Sequence, residues 1–472
     1  MNVFYYLFFG IIYFSKLIGL YDGQKLFYAF VIVGLIFYAI KMVTTKMTPL
    51  EYLICALLMG ISVISYYFSG EKGLILFMAV ATGMKGVDAR KVMKLAFVLG
   101  TVTYGAMIII TSLGLIPDGY HVTSKFAGLM MIRRQFGQPG ANVAHTVFFM
   151  LVALLLYFYG NREHVFALSL LVMLINMYLF LYTMSFTGAL SVALMLILNL
   201  ALRKKKAITS KTFAIICNVL YSFLIILSIV LPAVLTGRLY DIFNTLLNHR
   251  IEYGQYFLQN EKITLFGSRF AEAPNGNFYL DNAYLYLFLQ LGVVTFVITI
   301  ALMYLTLNGI LKSGDIGAFV IFAAFSFIGL SDPFLFNTSF KNLIFVFAGA
   351  YLFKLLSGDE RDALIRDSGG EFGAVFDFFD SCPGYLVVIF IVLPMLGIVC
   401  FYLNPALYEH ALLGAGDRLS YYTESEVYLN KELDQTIAIL RTGAACGIVV
   451  SGVLCICKLI YDKRKKGKLA RG

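Results

Sequence analysis

The chain has 472 residues, of which 60% are hydrophobic and 14% are charged; soluble domains carry charge on roughly 25% of their residues, so this composition excludes a water-soluble globular protein. The formal net charge of +10 does not indicate a nucleic-acid partner, because the sequence contains neither a basic amphipathic domain nor a nucleic-acid-binding motif. The seven cysteines lie mostly in apolar stretches without metal-ligand spacing, so neither a disulfide framework nor a zinc site is expected.

Apolar stretches recur from one end of the chain to the other, with the length needed to cross about 30 Å of hydrocarbon. They predict an all-α polytopic membrane protein with about fourteen transmembrane helices. We place them near residues 3–20, 26–43, 50–67, 73–84, 95–115, 142–160, 164–182, 187–202, 212–236, 283–310, 316–330, 339–357, 384–403 and 442–460. The fourth is short enough to be re-entrant. The first lacks a basic leader and a cleavage site, which favours a retained helix over a signal peptide.

The distribution of lysine and arginine predicts the orientation, because cytoplasmic loops of membrane proteins are enriched in these residues. With the amino terminus inside, alternate loops carry most of the 37 basic residues, above all 203–206 and the tail 458–472. Both termini are therefore predicted to be cytoplasmic. Segment 237–282 becomes a large external loop between helices 9 and 10. Lys16 lies near the end of a predicted span, where we expect its ammonium to reach water.

Composition also divides the chain into three parts. Residues 1–357 are predicted to form a twelve-helix body. Residues 358–383 are acidic and contain several glycines, which is typical of a linker, here on the cytoplasmic side. Residues 384–472 are predicted to form a two-helix appendix with a basic tail, and its external segment is 404–438.

Arginines are concentrated in the two long segments predicted to lie outside, 116–141 and 237–282, against the general bias of positive charge. They are Arg133, Arg134, Arg238, Arg250 and Arg269. Each one alone fits a solvated loop arginine or a headgroup anchor. Together they suit a lipid diphosphate, because the planar guanidinium binds phosphate oxygens in pairs.

The second external segment also carries residues suited to proton transfer and sugar binding. His249 precedes Arg250, and Glu252 follows on a predicted helical face shared with Tyr256 and Gln259. Asp281 stands where the chain re-enters the membrane. It can be an ordinary N-cap of the next helix, or a general base at the boundary between water and lipid.

The spacing of these residues resembles the O-antigen polymerase and ligase superfamily of bacterial envelope enzymes, which includes the Wzy-like polysaccharide polymerases. Members have an external loop with an Arg and then a Gly, followed by a His or Asp beside an Asn, Gln or Ser, nine residues and another Gly. Here Arg250 precedes Gly267, and 281–282 (Asp-Asn) is followed by nine residues and Gly292.

Three further segments resemble the same family in the same order: 136–142 (FGQPGAN), 185–188 (SFTG) and 331–333 (SDP). They correspond to the family steps FGHPN, SRTG and TEP. The likeness covers about residues 1–357. Asp281 stands where the ligases have His, which favours the polymerases of capsule and exopolysaccharide pathways over the ligases.

The resemblance implies transfer of a glycan from a polyprenyl diphosphate carrier to another lipid-linked oligosaccharide repeat, on the outer face of the bacterial cytoplasmic membrane. Asp281 would be the base, with His249 as its substitute, and Arg250 the foremost stabiliser of the leaving diphosphate. The remaining candidates for diphosphate or glycan binding are Arg269, Arg238, Arg133, Arg134, Asn282 and Glu252. The donor is already activated, so no cofactor is expected. We predict metal-independent catalysis, because no acidic cluster with magnesium spacing occurs in the external segments.

Other functions remain open on the sequence. The same chemistry serves an O-antigen-type ligase, and a flippase would move the same lipid-linked sugars without transferring them. Transporters tend to place charges and broken helices at the bilayer midplane, whereas the polar residues of this chain are concentrated in one external loop. Besides the lipid-linked oligosaccharide and the bilayer, a chain-length regulator and a flippase are candidate partners. No nucleic acid is expected.

Overall fold

The computed structural model describes residues 2–113, 115–116, 118–125, 129–162, 165–202, 206–247, 249–270, 280–357, 392–403, 443–444, 446–454 and 457. The predicted linker 358–383, the external segment 404–438 and the basic tail from residue 458 lie outside these ranges. The same holds for the basic residues 203–205 and for the part of the large loop between 271 and 279.

The described chain is almost entirely helical, as the apolar stretches predict. Its helices are α1 Asn2–Leu17, α2 Lys25–Thr44, α3 Pro49–Ser69, α4 Gly73–Thr82, α5 Ala89–Ser112, α6 Ala141–Tyr159, α7 Val165–Thr183, α8 Phe186–Leu202, α9 Lys211–Val234, α10 Gly237–Leu246, α11 Arg250–Asn260, α12 Ala283–Leu289, α13 Val293–Ser313, α14 Ile316–Ile328, α15 Ile344–Ser357 and α16 Leu393–Leu403. Short 3₁₀ turns occupy Lys206–Thr209 and Pro333–Leu335.

Within the described ranges, seven helices are long and apolar enough to cross a membrane: α2, α3, α5, α6, α7, α9 and α13. Five shorter apolar helices accompany them, namely α1, α4, α8, α14 and α15. The chain is therefore a helical membrane protein with several candidate spans. The total of fourteen and the orientation of the termini stay predictions.

The first long external segment contains a hairpin in which β1 (Tyr120–Lys125) pairs antiparallel with β2 (Leu129–Arg134). One local expectation was wrong. The span predicted at 283–310 is two helices, α12 and α13, separated by a turn at 290–292. Periodicity missed this break because every residue but Gln290 and Gly292 around it is apolar.

The break depends on two glycines in close backbone contact. Gly267 and Gly292 have φ angles of 91° and 92°, which L-residues with a side chain rarely adopt. A Cβ on Gly292 would lie 2.2 Å from the backbone nitrogen of Gly267. The amides of Val293 and Val294 donate to the carbonyls of Thr264 and Leu265, each at 3.0 Å. The loop after α11 is thereby fixed against the α12–α13 turn.

Contacts divide the chain into two compact units. Residues 1–101, 145–180 and 185–365 fall in the first unit, and residues 102–144, 181–184 and 366–472 in the second. The predicted boundary at 357–358 stays a prediction, because residues 358–391 lie outside the described ranges. Each unit is described by itself below.

In the first unit, polar contacts tie the two ends of α3 to neighbouring helices. At its start, Thr48 and Glu51 form a capping box, and Glu51 also pairs with Lys85 at 2.7 Å. Just beyond its other end, Lys72 pairs with Asp22, the residue that shortly precedes α2, at 3.1 Å. These contacts at the two ends of α3 keep α2, α3 and α4 aligned.

Aromatic rings fill the interior of the first unit around the loop before α15. The ring of Phe340 packs on Phe9, Phe77 and Phe8, with centroid distances of 5.7, 6.0 and 6.3 Å. Helices α4 and α15 approach so closely that a Cβ on Gly349 would lie 2.2 Å from the carbonyl oxygen of Ala81. This core holds the loop 329–343, which carries part of the site described below.

Lys16 does not behave as expected of a lysine near a helix end. Its side chain is buried, with 6% of the residue exposed, and its ammonium lies 3.5 Å from the ring centroid of Phe27. The ammonium is therefore covered by protein rather than extended into water, and the expectation that it reaches water was wrong.

We expect Gly292→Ala to destabilise the chain, because the new Cβ would meet the backbone of Gly267 in a conformation that already costs alanine on the order of 1–3 kcal/mol. Gly60→Ala is the matched control, since a Cβ there meets no atom within 4 Å. Thermal unfolding of the purified proteins in detergent measures both. Equal melting temperatures for the two variants would show that the glycine contact is not structural.

Candidate active site

Arg250 joins three segments of the first unit. It begins α11 directly after His249, whose left-handed backbone (φ 65°) turns the chain into the helix. Its Nε donates to the carbonyl of Ser331 at 3.0 Å, and its Nη1 donates to the carbonyl of Leu247 at 3.2 Å. Its Nη2 lies 3.7 Å from Oδ2 of Asp281, and the two side chains are 15% and 36% exposed. The guanidinium therefore bridges the start of α11, the entry to α12 and the turn after α14.

The cap of α12 is Asn282, not Asp281. Its Oδ1 accepts from the amides of Tyr284 and Leu285 at 3.1 and 3.0 Å. Ser228 of α9 donates to the same oxygen at 2.5 Å, and the Nδ2 of Asn282 donates back to the carbonyl of Ser228 at 3.2 Å. Asn282 thus has a structural role, and the N-cap interpretation of Asp281 was wrong. The carboxylate of Asp281 remains available for chemistry.

Two carboxylates lie in the electrostatic field of Arg250. Burial raises the pKa of Asp281 above its ordinary value, while the nearby guanidinium opposes the rise. Burial raises the pKa of Asp332 to about 6, and the negative charge of Asp281 adds to the effect. Oδ1 of Asp332 accepts from the amide of Phe334 at 3.0 Å. The raised pKa values bring both carboxylates closer to the range in which a carboxylate exchanges protons near neutrality.

His249 and Glu252 form a more exposed cluster with Asn244. His249 Nδ1 lies 2.8 Å from Oε2 of Glu252, and Asn244 donates to the same oxygen at 3.3 Å. The hydrogen bond from His249 is the main reason why the pKa of Glu252 is lowered. The side chains of His249 and Glu252 are 58% and 42% exposed, so they form the most exposed part of the site.

Tyr253 connects the exposed cluster to the Arg250 pair. Its ring stacks on His249 with a centroid distance of 6.4 Å. Burial raises the pKa of its phenol, and the charges of Glu252 and Asp281 add to that rise while Arg250 opposes it. Tyr253 was not among the predicted site residues. The spacing would have indicated it, since it follows Arg250 by three positions and so lies on the same helical face.

The other arginines of the large external loop lie elsewhere in the first unit. A Cβ on Gly70, in the turn between α3 and α4, would lie 3.4 Å from Nε of Arg269. Arg238 is exposed in the first turn of α10. Among the described residues, Arg250 is the arginine observed in an ion pair with Asp281.

Arg133 and Arg134 belong to the second unit and are held by it. Arg133 donates through Nε to the carbonyl of Thr183 at 3.0 Å and through Nη2 to Oδ1 of Asn142 at 2.5 Å. Arg134 is buried beside the ring of Tyr182, 6.0 Å from its centroid. Both arginines thus anchor the hairpin within their own unit, and their predicted role in substrate binding stays a prediction.

The far end of α12 carries a polar cluster that sequence reasoning missed. Tyr286 donates through its hydroxyl to Glu71 at 2.8 Å, and Gln290 donates to the other carboxylate oxygen at 3.0 Å. Burial raises the pKa of Glu71, and the hydrogen bond from Tyr286 opposes the rise. Glu71 is 215 positions away from Tyr286, so no local pattern could have joined them.

The structure explains why particular residues occur in several of the short segments that carry the family resemblance. Gly267 and Gly292 touch each other through backbone, so a side chain fits at neither. The carbonyl of Ser331, in the segment 331–333, binds Arg250. A Cβ on Gly188, in the segment 185–188, would lie 2.6 Å from His145. These contacts hold the backbone segments close together.

Within the described ranges, no group of three or more His, Cys, Asp or Glu side chains is placed to hold a metal ion. Metal independence stays a prediction. The chain matches no protein-family model, and the comparisons with curated proteins and solved structures found no match. The family resemblance therefore depends on the short sequence segments alone.

Asn282→Ala should remove the cap of α12 and lower the free energy of unfolding by about 0.5–2 kcal/mol. Asn260→Ala is the control, because Asn260 is exposed and bonds only a carbonyl of its own helix, that of Tyr256, at 2.8 Å among the described residues. Thermal or denaturant unfolding in detergent measures the difference. If Asp281→Ala destabilised the chain more than Asn282→Ala, the cap assignment would be incorrect.

Proposed function

We propose that this protein is a membrane glycosyltransferase that polymerises polyprenyl-diphosphate-linked oligosaccharide repeats into a surface polysaccharide. One observation carries the proposal. Arg250 pairs with Asp281 and bonds the carbonyl of Ser331, so three segments that resemble the family in sequence order meet at one point. These segments are far apart along the chain, so the motif spacing that suggested them does not by itself bring them together.

In the proposed reaction, the acceptor hydroxyl oxygen attacks the anomeric carbon of the donor glycan. The bond from that carbon to the diphosphate oxygen breaks, and the lipid diphosphate leaves. Asp281 takes the proton of the hydroxyl, for which its partial exposure gives access and its raised pKa gives affinity. Arg250 stabilises the negative charge that grows on the leaving diphosphate.

The geometry of Arg250 suits this second role. Two of its nitrogens are held by backbone carbonyls, which fixes the plane of the guanidinium. Its contact with Asp281 at 3.7 Å is longer than a short charge-assisted hydrogen bond of about 2.7–2.9 Å. A phosphate oxygen could therefore approach Nη2 without displacing a tight carboxylate pair.

The remaining predicted residues take secondary roles in the proposal. His249 and Glu252 pair with each other at the exposed side, where they suit glycan hydroxyls better than proton transfer at Asp281. Asn282 positions the start of α12. The roles of Arg269, Arg238, Arg133 and Arg134 as ligands of diphosphate or glycan stay predictions.

The proposal includes the setting of the reaction. The substrate is lipid-linked and the protein is embedded in the bilayer, with the site on the outer face of a bacterial cytoplasmic membrane and both termini inside. A chain-length regulator and a flippase are proposed as protein partners. The O-antigen-type ligase and the flippase are the alternatives, and they predict different products from the same gene deletion.

Deletion of the gene should leave single lipid-linked repeats and no long glycan, and the natural sequence supplied on a plasmid should restore the polymer. Asp281→Asn should fail to restore it, because the amide cannot take the proton. Asp241→Asn, an exposed carboxylate on α10, is the control. Gel analysis of the polymer and mass analysis of the lipid-linked repeats measure the outcome.

In the same assay, Arg250→Lys should keep the charge but lose the planar fork, and the transfer rate should fall on the order of 10²–10³. Arg162→Lys, at an exposed position outside the site, should not change it. Membrane abundance is followed by immunoblot. Normal polymer from both Asp281→Asn and Arg250→Lys would remove the proposed site, and accumulation of repeats on the inner face would indicate a flippase.

The proposed orientation is tested by reporter fusions. A reporter that is active only outside the cytoplasm should work when fused near Gly140 and fail within 203–206, because positive charge keeps that loop inside. Enzyme activity of fusions expressed at equal levels measures this. An active fusion within 203–206 would reverse the proposed orientation.

A further inference from the structure

Two buried lysines lie in the same unit as the proposed site, and the mechanism above does not use them. Lys341 follows Phe340 in the loop before α15 and is 4% exposed. Lys16 lies at the end of α1 and is 6% exposed. The packing of Phe340 on Phe8 and Phe9 holds the loop of Lys341 against α1. The positive charges of the two lysines repel each other electrostatically.

The two ammonium groups lack close counter-charges. Among the described residues, neither Lys16 nor Lys341 forms an ion pair or donates a hydrogen bond, and Lys16 has only the ring of Phe27 beneath it. Burying an ammonium costs free energy unless it is paired. The two ammonium groups also repel each other, and the binding of an anion would relieve that repulsion.

The nearby carboxylates are already engaged. Asp22 acts electrostatically on Lys16, but both of its oxygens accept from Lys72, at 3.2 and 3.1 Å, and one also accepts from Tyr28 at 2.7 Å. Asp332 acts on Lys341, but one of its oxygens accepts from the amide of Phe334. Burial lowers the pKa of Lys341 to about 8, with Asp332 opposing the change.

Each lysine is bordered along the chain by half-exposed residues. Residues 18–20 after Lys16, and residues 337–339 before Lys341, are half-exposed. Asp332 links the lysines to the site, since its carboxylate is in the field of Arg250 on one side and of Lys341 on the other. A substrate bound to Arg250 would therefore interact electrostatically with Asp332, and Asp332 in turn interacts with Lys341.

We propose that Lys16 and Lys341 form a binding site for a phosphate or diphosphate anion, which completes the cationic surroundings begun by Arg250. The sequence also assigns diphosphate or glycan binding to Arg269, Arg238, Arg133 and Arg134, and those roles stay predictions beside this one. The identification of the anion as the diphosphate of a lipid carrier rests on the proposed function. The anion site itself does not.

The test uses the purified full-length chain in detergent, with farnesyl diphosphate, inorganic pyrophosphate and uncharged farnesol as probes in calorimetric titration. Lys341→Met and Lys16→Met should each weaken the binding of farnesyl diphosphate at least tenfold, because each removes a charge that faces the anion. Lys312→Met, at an exposed lysine at the end of α13, should leave the dissociation constant unchanged. Lys341→Arg keeps a positive charge and should retain most of the affinity.

A melting scan without probe separates binding from folding. Because Met removes a buried charge without a close partner, the Lys341→Met variant should melt at or above the temperature of the natural sequence. A lower melting temperature together with lost binding would indicate a structural lysine and overturn the proposal. If Lys341→Met does not fold, the affinity of Lys16→Met decides.

The probes also distinguish the two sources of the anion. Tighter binding of farnesyl diphosphate than of pyrophosphate supports a lipid carrier, and equal affinities support a site for free phosphate anions. Unchanged affinity in both lysine variants overturns the anion site even where Asp281 proves essential for transfer. Conversely, normal polymer from Asp281→Asn removes the proposed base without affecting the binding result.

Discussion

The guanidinium of Arg250 is the contact on which the candidate site depends. It bonds the carbonyls of Leu247 and Ser331 and pairs with Asp281, so one side chain joins the start of α11, the entry to α12 and the turn after α14. A fixed guanidinium plane loses little conformational freedom when it meets a second anion. The same contact brings Asp332, through its neighbour Ser331, into the field of Asp281.

Close backbone contact keeps these segments in place. The turn between α12 and α13 lies against the loop after α11 at Gly267 and Gly292, and Asn282 fastens the start of α12 to Ser228 of α9. Helix α12 is thus held at both ends, since Tyr286 and Gln290 also bond Glu71. A short helix fixed in this way gives Asp281 a defined position, which its proposed role as a base requires.

The charged groups near the site differ in how deeply they are buried. His249 and Glu252 are paired in the exposed part, Arg250 and Asp281 are partly covered, and Lys341 and Lys16 are buried. Electrostatic interactions strengthen as water is excluded, so the buried lysines act more strongly on an anion than the exposed pair does. In the proposed reaction, the exposed cluster faces sugar hydroxyls and the buried groups face phosphate.

The sequence by itself determined that the chain is a helical membrane protein, because apolar stretches of spanning length have few other stable states. It also determined that Arg250 and Asp281 are candidates for one site, through their spacing to Gly267 and Gly292. It did not determine that 283–310 is broken, since an apolar turn has the same composition as an apolar helix.

Only the tertiary structure decided which residues meet. Asn282 caps α12, so the carboxylate of Asp281 is left to pair with Arg250. Tyr286 bonds Glu71. Lys16 is buried, whereas at an isolated helix end its ammonium would reach water. The physical reason is that these contacts link positions far apart along the chain. Local patterns record which face of a helix is apolar, whereas the partners of a buried polar group are fixed by the packing of several helices at once.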